Sequence, residues 1–405
     1  MERLNPAELE IDLFCKGMRI SDGCLDDRPK LARVRAGLGS GLELKFSAPH
    51  KTIHVNVPVQ EAFALESPYL LEKRDGNFFV SDERSEGKLL YPVEVVVPPA
   101  WYEHKTTRGI PMEKVGALQG TYLGIYVGKV CGFWSAKAPR PMNCRFCATG
   151  LNVGVSEAEE KSVDDVVETA LAAKKENGVT FVHFNSGDQV GGGLDVVEPY
   201  VRAIKERVGA LVGVQVLPSK DLSKYDRLID AGVDHFSFCY EFQNPDYFKD
   251  YCPGKAAALG QQPFFDAMAY TAEKMGKGRN SGEIIAGIEP IEDTLEAIDF
   301  ITSLGCFPTV CIFRPVKGTA MENQPSPSYE DMVRVMRRVF ESCMEKGIPI
   351  GLAPNIEVSL VVNPTDARYL VPSSLKKKLY LARLKAMKAM AGPYFKGRMK
   401  AIGEE

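Results

Sequence analysis

The sequence predicts an α/β protein: a partial (β/α)6 TIM-like barrel with a small β-rich N-terminal domain. Three observations carry this prediction. From about residue 118 onward, strand-like apolar runs alternate with segments of helical period, unit after unit. Before that point the pattern is one of short alternating runs punctuated by prolines. The first strand of the repeat leads into a cysteine loop, Cys131-x12-Cys144-Arg145-Phe146-Cys147, at the place where a barrel keeps its reactive groups.

Residues 1–115 form the expected β-rich accessory domain. Leu42-Glu43-Leu44-Lys45-Phe46 and Thr52-Ile53-His54-Val55-Asn56-Val57 alternate as half-buried strands do. Asp75-Gly76 ahead of Asn77-Phe78-Phe79-Val80 is a hairpin signal, and Pro92, Pro98 and Pro99 lead out of the region. The barrel core spans 116–358. Its strands are expected near 122–130, 179–186, 211–217, 234–240, 283–289 and 307–313, with helices near 163–177, 195–208, 221–231, 261–276, 292–304 and 328–346. Ser162-Val163-Asp164-Asp165 has the form of a capping box, and Gly178 and Gly232 fall where helix C-caps are expected. Such alternation implies parallel strands joined by right-handed crossovers. A further short strand is expected near 348–352, and 359–405 are expected to be a helical extension.

Composition sets bounds. At 405 residues, 45% hydrophobic and 25% charged, the chain has ample core for a large domain and a smaller one. A net charge of -3 gives no global attraction to nucleic acid or to an anionic membrane. Lys376-Lys377-Lys378 and the basic stretch around 382–400 read as a solvated helix face. Ten cysteines without even spacing do not suit a disulfide scaffold. No apolar h-region follows Met1, and no run approaches the roughly 18 apolar residues that span a bilayer. These features predict a cytoplasmic protein with reduced thiols and with neither membrane nor nucleic acid as partner.

The two-residue gap between Cys144 and Cys147 lets one loop wrap two thiolates onto one metal centre. Three thiolates suit a four-iron cluster that keeps one iron open, and an open position marks a reactive site. Spacing alone leaves a zinc site standing beside it, with His104 or a distant cysteine as fourth ligand.

Across roughly 118–355 the chain resembles the radical S-adenosylmethionine (SAM) enzymes, and within them the biotin-synthase-like group. The resemblance implies that Cys131, Cys144 and Cys147 ligate a 4Fe-4S cluster whose open iron is chelated by SAM, with Phe146 at the aromatic position before the last cysteine. It also implies cofactor-binding roles for Ser186, Gly187 and Asp188, which stand where the family has Gly-Gly-Glu, and for Glu241 at the end of the fourth strand. Gly287 and Glu289, at the fifth strand, border the adenine in this alignment, and Phe313-Arg314-Pro315-Val316-Lys317-Gly318-Thr319 is similar to the family's Pro-x-x-Gly-Thr ending. The family reaction follows: one electron cleaves SAM to methionine and a 5′-deoxyadenosyl radical, which abstracts hydrogen from a small-molecule substrate. A low-potential donor such as flavodoxin or ferredoxin would supply the electron. The first gap departs from the family, with twelve residues in place of three, and residues 136–141 within it are expected to shape the barrel mouth or engage a partner.

By strand parity His183 and Asn185 face the lumen, with Gln215, Tyr240 and Arg314 nearby; the arginine is suited to clamp a carboxylate or phosphate. Cys239, Cys306 and Cys311 read as small core residues, and Cys252 as a loop thiol. Two other readings stand beside the radical enzyme: a TIM-barrel lyase or aldolase with a structural zinc, and a non-catalytic metal or cluster carrier.

Overall fold

Side chains of successive strand residues point to opposite faces, so one strand can feed two different environments. The six parallel strands at the centre of this protein do so. The computed structural model describes residues 3–24, 41–135 and 141–400. In chain order its strands are β1 (Arg19–Ile20), β2 (Leu42–Ala48), β3 (Lys51–Val57), β4 (Tyr69–Arg74), β5 (Asn77–Asp82), β6 (Leu89–Val95), β7 (Ala117–Gln119), β8 (Tyr122–Tyr126), β9 (Phe181–Asn185), β10 (Leu211–Gln215), β11 (His235–Glu241), β12 (Asn280–Ala286) and β13 (Phe307–Ile312). The larger sheet has the order β13-β12-β11-β10-β9-β8-β7, with β8 to β13 parallel and β7 antiparallel at the edge. Sequential neighbours joined through helices give the expected partial (β/α)6 barrel.

In β9, Val182 and Phe184 pack outward beneath the helices, while Phe181, His183 and Asn185 line a lumen. In β11, Phe236, Phe238 and Tyr240 go outward, and His235, Cys239 and Glu241 line the lumen. The helices Val163–Asn177, Gly193–Ala203, Ser223–Asp230, Gln262–Met275, Ile291–Ser303 and Tyr329–Lys346 cover the outer side. The first opens on the anticipated capping box, Ser162 with Asp165, and closes on Gly178 in the left-handed region. Residues 348–352 form no strand. The Ile348 amide instead bonds the Cys343 carbonyl, capping the helix before it, and the Tyr380 hydroxyl donates to the Ile348 carbonyl.

The N-terminal region holds the second sheet, ordered β1-β4-β5-β6-β2-β3, with Asp75 and Gly76 turning β4 into β5 at positive φ. It also holds a helix that the β-rich expectation left out. Pro6–Lys16 is capped by Asn5, whose side chain takes the Ala7 and Glu8 amides while Glu8 reaches back to Asn5. Leu13, Val55 and Tyr69 belong to the same continuous hydrophobic core as Phe236 and Ile301.

This sheet bridges the two free edges of the half-barrel. Glu43 accepts the Gly120 amide at 3.0 Å, in the turn between β7 and β8. Beyond β13, Arg314 pairs with Glu61 at 2.5 Å and donates to Asn56 at 3.2 Å. Lys51 joins Asp366 at 2.8 Å and also meets Glu357. Arg314 is therefore committed to structure rather than to a substrate anion. The helix Leu375–Arg398 packs across the opposite end of the strands, with Arg398 holding Asp234 at 2.7 Å. No helix among the described residues is long and apolar enough to cross a membrane.

Candidate active site

A cavity of about 600 Å³ runs from the cysteine loop down through the barrel to the helix Leu375–Arg398. Cys131, Cys144 and Cys147 all line it. Local backbone bonds explain why. The Cys147 amide bonds the Cys144 carbonyl at 3.1 Å, a turn that sets the two thiols on one side. Cys131 follows β8, and the Asp188 amide points at its Sγ from 3.3 Å. The loop is clamped to a neighbouring segment: Arg145 amide to Tyr251 carbonyl, and Gly254 amide to Met142 carbonyl, each 2.9 Å.

The electrostatics differ among the three. A hydrogen bond from Cys252, aided by the charge of Lys255, draws the Cys144 thiol below its usual pKa against the opposing effect of burial. Burial pushes Cys131 up, offset by the Asp188 and Phe133 amides. Burial and the neighbouring Cys144 charge push Cys147 up to about 11, offset by its bonds from Thr149. Cys131 and Cys147 both feel the charge of Cys144, and Cys147 feels that of Cys131 as well. Among the described residues no group of three or more His, Cys, Asp or Glu side chains closes around a single ion. A polynuclear cluster asks for something else: thiolates that face one another around a volume, one for each iron they hold.

The second βα loop passes close against Cys131. A Cβ added to Gly187 would lie 2.4 Å from the Cys131 Cβ and 2.6 Å from its Sγ, so only glycine lets residues 185–188 pass so near the thiol. The Gly132 amide bonds the Asp188 carbonyl at 2.9 Å, tying the two loops together. Phe146, Ser186, Gly187, Asp188 and Glu241 all line the same cavity as the cysteines. Glu241 sits at a bulge of β11 with φ 69°, the left-handed region that a non-glycine residue enters only when held there.

What holds it is Lys255, which sequence reasoning passed over. Its ammonium reaches Glu241 at 2.5 Å and the Cys239 carbonyl at 2.8 Å, and the residue is 9% exposed. Cys252, one helical turn earlier, is fully buried against Cys144. Deeper in the lumen Glu283 accepts from Gln215 and Cys239, each at 2.7 Å, and from Ser237. Burial lifts the Glu283 carboxyl above its ordinary pKa. Cys239 and Cys311 thus line the lumen rather than fill the core, whereas Cys306 is fully buried as expected. Tyr240 points outward against Phe265.

Gly287 and Glu289 stand apart from this cavity. β12 ends at Ala286, and its lumen positions are Ser281, Glu283 and Ile285. Gly287 packs against Pro327 at φ 96°. Glu289 accepts the Gln243 and Asn244 amides at 3.3 and 3.0 Å and so braces the loop after β11. Burial raises its pKa from 4.5 to about 7, so the stability that this group contributes is present below pH 4.5 and is lost as pH rises through 7. Glu289→Gln is therefore expected to flatten the pH dependence of Tm across that window, by at most about 3 kcal/mol, as thermal melts at several pH values would read. Residues 136–140, expected to shape the mouth, lie outside the described residues.

No family model matches the chain. A stretch of 154 residues, 36% of the chain, is 28% identical to the bacteriochlorophyllide c C-7(1)-hydroxylase of Chlorobaculum limnaeum, and it spans 38% of that protein. Among solved structures, the chain is similar to methylornithine synthase (PylB) at 15% identity and TM-score 0.42, over 65% of this chain and 81% of that one. A radical SAM methyltransferase from Sphaerobacter thermophilus gives 15% identity and TM-score 0.43, over 70% and 76%. Streptococcus suis SuiB bound to S-adenosylmethionine gives 14% and 0.39, over 56% and 49%. The chain thus spans little more than a third of the length of the curated relative it matches, and these solved structures are similar to it at 14–15% identity.

Proposed function

We propose that the protein is a radical SAM enzyme that uses a 4Fe-4S cluster and SAM to abstract hydrogen from a bulky, largely apolar small molecule. One observation carries this: the thiols of Cys131, Cys144 and Cys147 all line the head of one deep lumen at the C-terminal ends of the parallel strands, and residues 185–188 pass against Cys131 there. The bound cofactors would supply one-electron cleavage of SAM and the hydrogen abstraction that follows. The chain supplies the rest. Cys131, Cys144 and Cys147 hold the cluster. Ser186, Gly187 and Asp188 offer backbone and carboxylate groups to the SAM amino group, and Glu241 its carboxylate to the ribose or methionine part, with Phe146 as an apolar wall.

Below them Phe181, Leu211, Phe307 and Ile350 give the substrate apolar surface and exclude water, while Gln215 and Glu283 offer polar contacts within it. The hydroxylase among the similar proteins acts, by its name, on a bacteriochlorophyllide. A substrate that is bulky and mainly apolar agrees with both. Ten free cysteines and an oxygen-sensitive cluster suit the cytoplasm, with a flavodoxin or ferredoxin as electron donor.

The test is formation of 5′-deoxyadenosine from SAM by anaerobically purified protein given a strong reductant. Its absence in iron-replete protein would sink the proposal in favour of a cluster carrier, and zinc in place of iron would favour the lyase. Asp188→Ala is expected to weaken SAM binding about 10- to 100-fold with iron content unchanged, read by equilibrium binding and iron assay. Loss of iron would show that Asp188 serves the cluster loop instead.

A further inference from the structure

The helix Leu375–Arg398 has two apolar stripes, and the barrel uses one of them. Tyr380 is buried beneath it, and Met387, Ala391 and Phe395 line the cavity. The other stripe faces away. Leu375, Leu379, Ala382, Ala386, Met390 and Pro393 recur at helical spacing and are all exposed. Leu375 is 74%, Leu379 63% and Met390 73% accessible. At 3.6 residues per turn these six positions fall within an arc of about 80°.

Cations border this stripe on both sides: Lys378, Lys385 and Lys396 along one, Lys376 and Arg383 along the other. Residues 375–400 contain no Asp or Glu. Among the described residues none of the five side chains forms an ion pair. The basic stretch is therefore not a plain solvated face. In a solvated helix the outermost arc is polar; here it is apolar, and the charges stand at its shoulders.

We propose that this helix is a membrane-surface element, its outer stripe seated among the headgroups of an anionic bilayer and its flanking cations on acidic phospholipids. The pattern is that of an interfacial helix, in which apolar side chains enter the headgroup boundary and lysines at its edges meet anionic lipid. A second copy of the chain is the poorer occupant. Packing stripe to stripe would bring two cationic borders together, and like charges there oppose pairing. Nucleic acid would use the cations but leave the Leu375, Leu379 and Met390 stripe in water. The net charge of -3 leaves this helix as a local cationic surface on a mildly acidic chain.

The experiment is co-sedimentation of the full chain with vesicles of phosphatidylglycerol and phosphatidylcholine, against vesicles of phosphatidylcholine alone. Binding to the anionic vesicles only, weakening with salt, is expected. Leu379→Ser with Met390→Ser should reduce that binding about tenfold or more at unchanged charge, and Lys378→Glu with Lys385→Glu should abolish it. These positions are exposed, so circular dichroism and thermal melting should match the parent chain. Three results would overturn the proposal: no preference for anionic vesicles; anionic binding indifferent to the serine variants, which marks plain electrostatic adhesion; or self-association that those variants dissolve, which marks a second copy.

Discussion

Replacing Cys144 with alanine is expected to remove iron and SAM cleavage together. Of the three loop thiols, Cys144 is the one whose pKa lies below its usual value, held there by the Cys252 hydrogen bond and Lys255. It is thus the readiest to ligate, because metals take the thiolate. Two remaining thiolates leave a second iron without a protein ligand, and an open site becomes an unstable one. The variant should purify colourless, with iron and 5′-deoxyadenosine at background and a melting curve near that of apo-protein. The nearby thiol provides an internal control. If Cys144→Ala retains iron, Cys252 is the residue positioned to take over, and the Cys144→Ala, Cys252→Ala double variant decides it. Iron persisting in that double variant would remove the loop from the metal centre altogether.

The second large effect is expected at Lys255. Its ammonium neutralises Glu241 within a wall where both side chains are little exposed, 11% and 12%. Lys255→Met leaves the carboxylate buried, unpaired and still fixed at a left-handed backbone position. Breaking such a pair costs about 3–5 kcal/mol, a fall of roughly 4–6 °C in Tm for a chain of this length. The Cys144 thiol would lose a neighbouring cation as well, so iron reconstitution should need higher pH than in the parent chain. Calorimetry and iron titration against pH read the two consequences separately. Glu241→Gln added to Lys255→Met should recover part of the stability, and full additivity of the two changes would show that the residues do not act as a pair.

How far the sequence spoke depended on how local each signal was. Parity along a strand is local, and it placed His183 and Asn185 in the lumen, where Gln215, expected nearby, also lies. Caps are local too, and Ser162 with Asp165 stands as expected. The Asn5 to Glu8 box before Leu9 and Ile11 was equally legible, yet the alternating strands around it drew the whole region into a β-rich reading. The segment at 348–352 misled for a different reason. An apolar run of five fits a strand or a helix-capping tail equally, and only the preceding helix end decides between them. The motif matched by residue type at Gly287 and Glu289 runs past the end of β12 at Ala286, and neither residue lines the cavity that holds the cysteines. Lys255 carried no periodic or motif signal. Its importance arises only when the helix Pro253–Ala258 folds back against β11.

The edges of the half-barrel carry one more consequence. A closed barrel of eight strands has a bore fixed by its own hydrogen-bonded circumference. This one has six parallel strands and an antiparallel edge, and the gap is spanned by Glu43 on one rim and by Glu61 and Asn56 on the other. The calibre of the lumen is therefore set by a clasp, built from a stretch of chain remote from the cysteines. Lengthening or shortening the span between β2 and Glu61 would resize the molecules admitted while leaving every reactive group in place. Breadth of substrate in such a scaffold is a matter of tailoring at the seam, and the chemistry at the top need not change to follow it.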